Sequence, residues 1–486
     1  MRIIQLMTGL ALVFSLASHA ETVLNRGKLS EQAIEFKANS GDSTDAFEGF
    51  IMVPENRNNP DSRKIRVNYV RFPSTSDNPG HPIVYLSGGP GGSGIATAKW
   101  RRFLLFMALR EFGDVIALDQ RGTGQSEQAE TCVSDESISL TERVSDAEIA
   151  KRYREAAKHC LAQWQQQGVD VYGYTTVQNA LDIDDLRKHL DAEKVNLWGI
   201  SYGSHLALAA VKLFDDKIDK VIIASAEGLD QTIKLPAQTN QYFAAVNEVL
   251  AKQDVGKQVS DLPGLMRRVH ASLEDAPLTL EIPGKAGKVT QMLFQRYHMQ
   301  KLSSMAIADP GHYLAMLVQI YAALDRGDTK LLVQVLQRGF FNDEAIAFRL
   351  MPLAMDVASG ITAKRLNKVE QQMDNALLGP YLNFPMPMLN NIDPQLDLGD
   401  TFRAKPLSDV PVLLLTGSLD GRTYPEEQRQ AVSSLSKVTQ IIVENAGHNL
   451  FTSHPEVLNR MKTFLAGQKT SEATIVLPLP ELSLSK

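Results

Sequence analysis

Six short runs of β-branched and aliphatic residues recur along this chain: PIVYLS (82–87), DVIALD (114–119), VNLWGI (195–200), KVIIAS (220–225), VPVLLLTG (410–417) and TQIIVENA (439–446). Each is continuously apolar and bounded by Gly, Asp or Pro, the pattern of a strand buried on both faces. Helical patterns lie between them, such as AKWRRFLLFMALR (98–110), TVQNALDIDDLRKHL (176–190) and HPEVLNRMKTFLAG (454–467). Strand alternating with helix specifies an α/β fold, a mostly parallel central sheet with helices on both faces. FEGFIMVP and KIRVNYVRF read as antiparallel strands entering that sheet, after a loose ETVLNRGKLSEQ.

The alternation stops between residues 231 and 405. That stretch reads as helical, with YFAAVNEVLAKQ and YLAMLVQIYAALDRGD, and then becomes loop-rich through NFPMPMLNNIDPQLDLGD. A helical block placed inside an α/β core is the pattern of a cap or lid. The expected organisation is an export signal over 1–20, the first part of the core over 21–230, a helical cap over 231–405 and the rest of the core over 406–486.

The first twenty residues, MRIIQLMTGLALVFSLASHA, join one Arg to an apolar run and a small-x-small site at Ser18 and Ala20. A spanning helix needs about 20 apolar residues, so this reads as a cleaved signal for a periplasmic or secreted protein, with no stable membrane insertion afterwards. A net charge of −6 leaves no basic footprint for nucleic acid. In an oxidising compartment the two cysteines, Cys132 and Cys160, are expected to form a disulfide. No His or Cys cluster has metal-ligand spacing, so neither a metal nor another cofactor is expected.

The chemistry centres on Gly199-Ile200-Ser201-Tyr202-Gly203, a G-x-S-x-G between a strand and a helix. The turn lifts a serine hydroxyl clear of the backbone, and glycines stand where strand and helix crowd each other. A serine nucleophile needs a general base, itself oriented by a third group. Asp420 follows the strand VPVLLLTG, and His448 follows the next one, in the chain order Ser, acid, His. His454 precedes Pro455 and reads as a helix start. His205 lies one turn beyond Ser201, and Glu426 and Glu427 fit the solvated first turn of a helix after Pro425. Oxyanion donors are expected at the backbone of Tyr202 and in the glycine-rich loop PIVYLSGGPGGSG, which lacks either nucleotide-binding glycine pattern.

With these motifs the chain resembles the α/β-hydrolase peptidases of the prolyl iminopeptidase and tripeptidyl aminopeptidase group. Ser87 to Gly92 resembles that group's H-G-G-P-G loop, with Ser87 in place of the His. Asp119 to Ser126, DQRGTGQS, resembles its D-Q-R-G-x-G-x-S turn. The resemblance implies Ser201 as nucleophile, Asp420 as orienting acid, His448 as base, and Gly89 and Tyr202 as oxyanion donors. It also implies carboxylates near the cap that hold a substrate's α-ammonium. Glu227 is the first candidate, with Asp230 and Asp356 as alternatives. Asp119 and Arg121 are expected to form a buried salt bridge bracing the glycine loop.

The expected function is an exported serine hydrolase releasing residues from peptide N-termini through an acyl-enzyme. The alternative is a carboxylic-ester hydrolase on the same machinery, so the substrate is a peptide or a small ester. A remote third is a non-catalytic, hydrolase-like binding protein, which calls for a broken triad. Oligomeric state is not encoded in these patterns.

Overall fold

The computed structural model describes residues 31–284, 288–308 and 310–482. The expected export signal lies outside them. In chain order the strands are β1 (Glu31–Lys37), β2 (Ser43–Pro54), β3 (Lys64–Phe72), β4 (Ile83–Leu86), β5 (Val115–Leu118), β6 (Cys132–Ser137) and β7 (Val195–Ile200). They continue as β8 (Ile218–Ala224), β9 (Leu278–Pro283), β10 (Val289–Phe294), β11 (Ala345–Phe348), β12 (Val412–Gly417), β13 (Val438–Glu444) and β14 (Ala473–Val476). The six apolar runs are β4, β5, β7, β8, β12 and β13.

One large sheet takes the order β1-β2-β3-β5-β4-β7-β8-β12-β13-β14. The first three strands pair antiparallel, and β3 meets β5 antiparallel. From β5 to β14 every pairing is parallel. Successive side chains of a strand leave on opposite faces, and the two faces pack separately. Val84, Leu86, Leu197, Val221, Ile223 and Leu414 lie in one core, and Ile83, Tyr85, Trp198, Ile222, Leu413 and Leu415 in the other. Each such side chain, fully buried, contributes about 1.5–3 kcal/mol.

Three local expectations change. AKWRRFLLFMALR is not one helix but two, Gly94–Lys99 and Phe103–Leu109, with Trp100 exposed at the break. The end of ETVLNRGKLSEQ is already ordered, since β1 starts at Glu31 and pairs with β2. The C-terminal segment adds the edge strand β14 and then reaches the helical insert, where Leu482 is buried and its N–H donates to Gln253 Oε1.

The segment between β8 and β12 leaves one strand and returns to its parallel neighbour, so it is inserted in the sheet's connectivity. It holds helices such as Pro236–Ala251, Leu262–Asp275 and Arg296–Ala306 around a core of their own, while Leu350–Ser359 packs into the core on one face of the sheet. It also contains the hairpin β9–β10 and the strand β11. β11 pairs antiparallel with β6, an excursion between β5 and β7, with Phe348 opposite Cys132. Cys132 is bonded to Cys160 in the helix Asp146–Gln166, 28 residues away. The disulfide therefore joins that helix to the strand that carries β11.

Closing a loop of 28 residues removes chain entropy worth about 3.6 kcal/mol from the unfolded state. Cys132→Ser together with Cys160→Ser is expected to lower unfolding free energy by about that amount. Denaturant titration with and without reductant measures it, and the oxidised wild type alone should respond to reductant.

Candidate active site

The turn at Ser201 obeys a steric demand. Ser201 has φ 54° and ψ −128°, a conformation that an L residue holds only when its surroundings over-determine it. Its N–H donates to Ala224 O on β8, and the helix Tyr202–Phe214 starts at once. A Cβ on Gly203 would stand 2.1 Å from Leu86 O, and one on Gly199 would stand 2.5 Å from Gly203 O. The helix passes so close to β4 and β7 that no side chain fits at either position.

Asp420 and His448 meet beyond the ends of β12 and β13. His448 Nδ1 lies 3.0 Å from Asp420 Oδ1 and 3.1 Å from Oδ2. A carboxylate only accepts, so Nδ1 carries a proton, and in the neutral imidazole Nε2 is then the nitrogen able to accept one. The backbone N–H groups of Arg422 and Thr423, both at 2.9 Å, and Thr423 Oγ1 at 2.7 Å also donate to Asp420. Burial alone would push this carboxyl up. The facing His448 and the hydrogen bonds from His448 and Thr423 outweigh it and hold the group below the usual aspartate value.

Among the described residues no hydrogen bond joins Ser201 Oγ to His448. The two are held to the same end of the sheet through β8. Ser201 N–H reaches Ala224, and the next residue, Ser225, donates from Oγ to His448 O at 2.8 Å. His448 N–H donates to Ala308 O of the insert at 2.8 Å, so the loop carrying His448 is also tied to the helical block. Arg422 continues that tie by donating to Ser304 O and Leu382 O.

The glycine loop lies against the serine. A Cβ on Gly88 would be 3.0 Å from Ser201 Cβ. Gly92 N–H closes the loop on Gly88 O at 3.0 Å, and Gln120 donates to Ser87 O at 3.0 Å. Gly89, at φ 132°, turns the loop tightly, with the backbones of Gly91 and Gly92 crowded against it. The insert covers this loop, since Arg349 Nη1 approaches Gly91 O at 3.5 Å.

Several neighbours behave differently from expectation. Asp119 and Arg121 are both buried but do not pair. Asp119 accepts from Ser93 Oγ and the N–H groups of Ile95 and Gln125, bracing the turn after the glycine loop. Arg121 instead grips Asp182 and the carbonyls of Glu55 and Gly173. Glu427 is not solvated: it is buried and paired with Arg365 of the insert. His454 does start its helix, accepting from Glu456 N–H. His205 is fully buried between Gly228 O and Ser359 Oγ, and burial lowers its pKa to about 4.

The three acidic candidates separate. Asp230 accepts from the N–H and Oγ1 of Thr362, the residue that caps the helix Ala363–Met373. Glu227 is buried and paired with Lys234. Asp356 has no ionic partner among the described residues, and it lines a cavity of about 220 Å³ with Arg349, Phe348, Pro352, Leu353 and Met386. Burial, and then the nearby Glu227, pushes its carboxyl up to about 7 against the opposing Lys234.

Sequence reasoning missed the polar network under this cavity. Tyr202 OH donates to Met355 O at 3.0 Å and meets Ser359 Oγ at 2.8 Å, locking the nucleophile helix to the helix carrying Asp356. No local pattern marks Ser359, which lies 158 positions beyond Ser201 in the chain. The Thr423 contact was legible, because an Asp followed by turn residues bonds backbone N–H groups two and three positions on.

A family model described as alpha/beta hydrolase fold matches residues 81–455. Tripeptidyl aminopeptidase of Streptomyces lividans is 28% identical over 190 residues, covering 36% of this chain and 34% of that protein. Serine protease Hip1 of Mycobacterium tuberculosis is 29% identical over 187 residues, covering 37% and 35%. The chain thus spans about a third of the length of these curated relatives. An alpha/beta hydrolase enzyme from a Medee basin deep-sea metagenome library aligns with 84% of this chain and 96% of its own at 14% identity, with a TM-score of 0.38.

Gly203→Ala should cost about 2 kcal/mol of stability or more, because the backbone carbonyl it meets cannot swing away as a side chain can. Chemical denaturation measures it, and a stability equal to wild type would contradict the crowding described here.

Proposed function

The chain belongs to the alpha/beta hydrolase fold family, and on that premise we propose that it is an exported serine hydrolase that removes residues from peptide N-termini. The observation that carries the chemistry is the Asp420–His448 pair, set beyond adjacent strand ends at the same edge of the sheet as the strained Ser201. His448 Nε2 takes the Ser201 Oγ proton as oxygen attacks the scissile carbonyl carbon. The backbone N–H groups of Tyr202 and Gly89 receive the oxyanion. The C–N bond then breaks, His448 returns the proton to the leaving amine, and water releases the acyl group by the same route. Asp420 stays ionised and holds the imidazolium.

The aminopeptidase assignment depends on the cavity. A free α-ammonium entering a partly desolvated space needs a counter-charge. Lys234 already neutralises Glu227, which leaves Asp356 to supply it. That same ion pair favours the second reading, an ester hydrolase, because it leaves only Asp356, of the two carboxylates Glu227 and Asp356, without an ionic partner among the described residues.

Purified protein assayed on aminoacyl- and tripeptidyl-amides, matched N-acetylated peptides and simple esters separates the readings. Free-amine substrates should turn over faster, and equal turnover of blocked ones would sink the aminopeptidase assignment. Ser201→Ala should lower kcat by about 10⁴-fold or more, and full activity in that variant would overturn the mechanism.

The preference for a free amine should also depend on pH. Asp356 gains its charge as pH rises through about 7, while an α-amino group loses its proton near 8. The ratio of kcat/KM for free over acetylated peptides is expected to rise from pH 6, peak between about 7 and 8 and fall above that. Asp356→Asn should flatten the rise.

A further inference from the structure

We propose that Arg349 is a specificity residue that receives a carboxylate of the substrate, which makes the cavity selective for zwitterionic short peptides. The proposal deepens the reading above and rests on that cavity being the substrate site.

Arg349 and Asp356 line the same cavity, with apolar Ala347, Phe348, Pro352, Leu353 and Leu389 between and around them. Arg349 stands at the start of the helix Leu350–Ser359 and Asp356 seven positions later, a spacing that puts both on one helix face. At about 1.5 Å of rise per residue their backbones are about 10 Å apart along the axis, and no ion pair joins them. Among the described residues no carboxylate pairs with Arg349. Its one side-chain hydrogen bond among the described residues is the 3.5 Å contact from Nη1 to Gly91 O, and because Arg349 is exposed most of its five donors face solvent, open to a ligand.

A guanidinium in a partly apolar cavity favours a planar anion that accepts two parallel hydrogen bonds, and a carboxylate has that shape. The cavity therefore has a negative end at Asp356 and a positive end beside the glycine loop. An extended peptide advances about 3.4 Å per residue, so about three residues bridge the two charges. The backbone that carries the arginine is anchored on one side. The preceding residue, Phe348, pairs across the strands with the disulfide-bonded Cys132, and Tyr153 of the disulfide-linked helix packs edge-on against its ring. A carboxylate could come from the peptide's C-terminus or from an acidic side chain, and the test distinguishes them.

Ser201→Ala protein, which binds without turning substrate over, is titrated calorimetrically with trialanine, trialanine amide, N-acetyl-trialanine, and the amides of Ala-Glu-Ala and Ala-Gln-Ala. Trialanine is expected to bind at least 10-fold more tightly than its amide if the C-terminus is read. The Glu peptide should exceed the Gln peptide by a similar factor if a side chain is read. In Ser201→Ala/Arg349→Gln the winning ratio should fall close to one, and in Ser201→Ala/Arg349→Glu it should invert. Should the Gln variant fail to fold, Arg349→Lys keeps the charge but loses the fork, and the ratio should drop to a few-fold. Absence of any carboxylate preference, or its full retention in Arg349→Gln, overturns the proposal. The acetylated peptide reports on the aminopeptidase reading separately, because losing the ammonium should weaken binding whatever Arg349 does.

Discussion

The helix Tyr202–Phe214 can leave β7 where it does only because nothing stands between Gly203 and the Leu86 carbonyl, or between Gly199 and Gly203 itself. That close approach sets the spacing of the nucleophile helix, β4 and β7, the centre of the sheet. It also forces Ser201 into a positive φ and brings the glycine loop after β4 into contact with the serine's Cβ. Strain at one residue is tolerable here because the surrounding strands are fully buried and cannot relax outward. Stability from the two apolar faces is thereby used to hold one side chain in an unfavourable backbone conformation.

From that centre the hydrogen bonds run outward to the insert. Asp420 is satisfied within its own turn and by His448, while the loops around both reach across to Ala308, Ser304 and Leu382. Tyr202 reaches in the same way to Met355 and Ser359. The proposed acid, base and oxyanion segments are thus each tied to the helical block over them. The disulfide extends the tie on the far side, through β6 and β11 to the residue before Arg349.

Much of this was legible beforehand, and the reason differs between residues. All six apolar runs became strands, since a parallel sheet covered on both faces leaves no polar alternation to confuse the pattern. The pairing of Cys132 with Cys160 followed from count and expected compartment. The Asp119–Arg121 pair was misread because both are buried charges close in the chain, yet the turn after β5 sends them to different partners. Glu427 looked solvated because a helix's first turn favours acids, and Arg365, distant in sequence, overrode that preference.

By itself the sequence determined the order and type of the sheet's elements and the Ser, Asp, His succession along the chain, because those depend on local periodicity and on turn chemistry. Only the tertiary structure decided which acids remain available. Asp230 is consumed by a helix cap, Glu227 by Lys234, and Asp356 is left facing a cavity beside Arg349. Whether a charge is free is set by what the rest of the chain brings within about 4 Å of it. The partners that decide it here come from segments whose spacing in the chain carries no record of their contact.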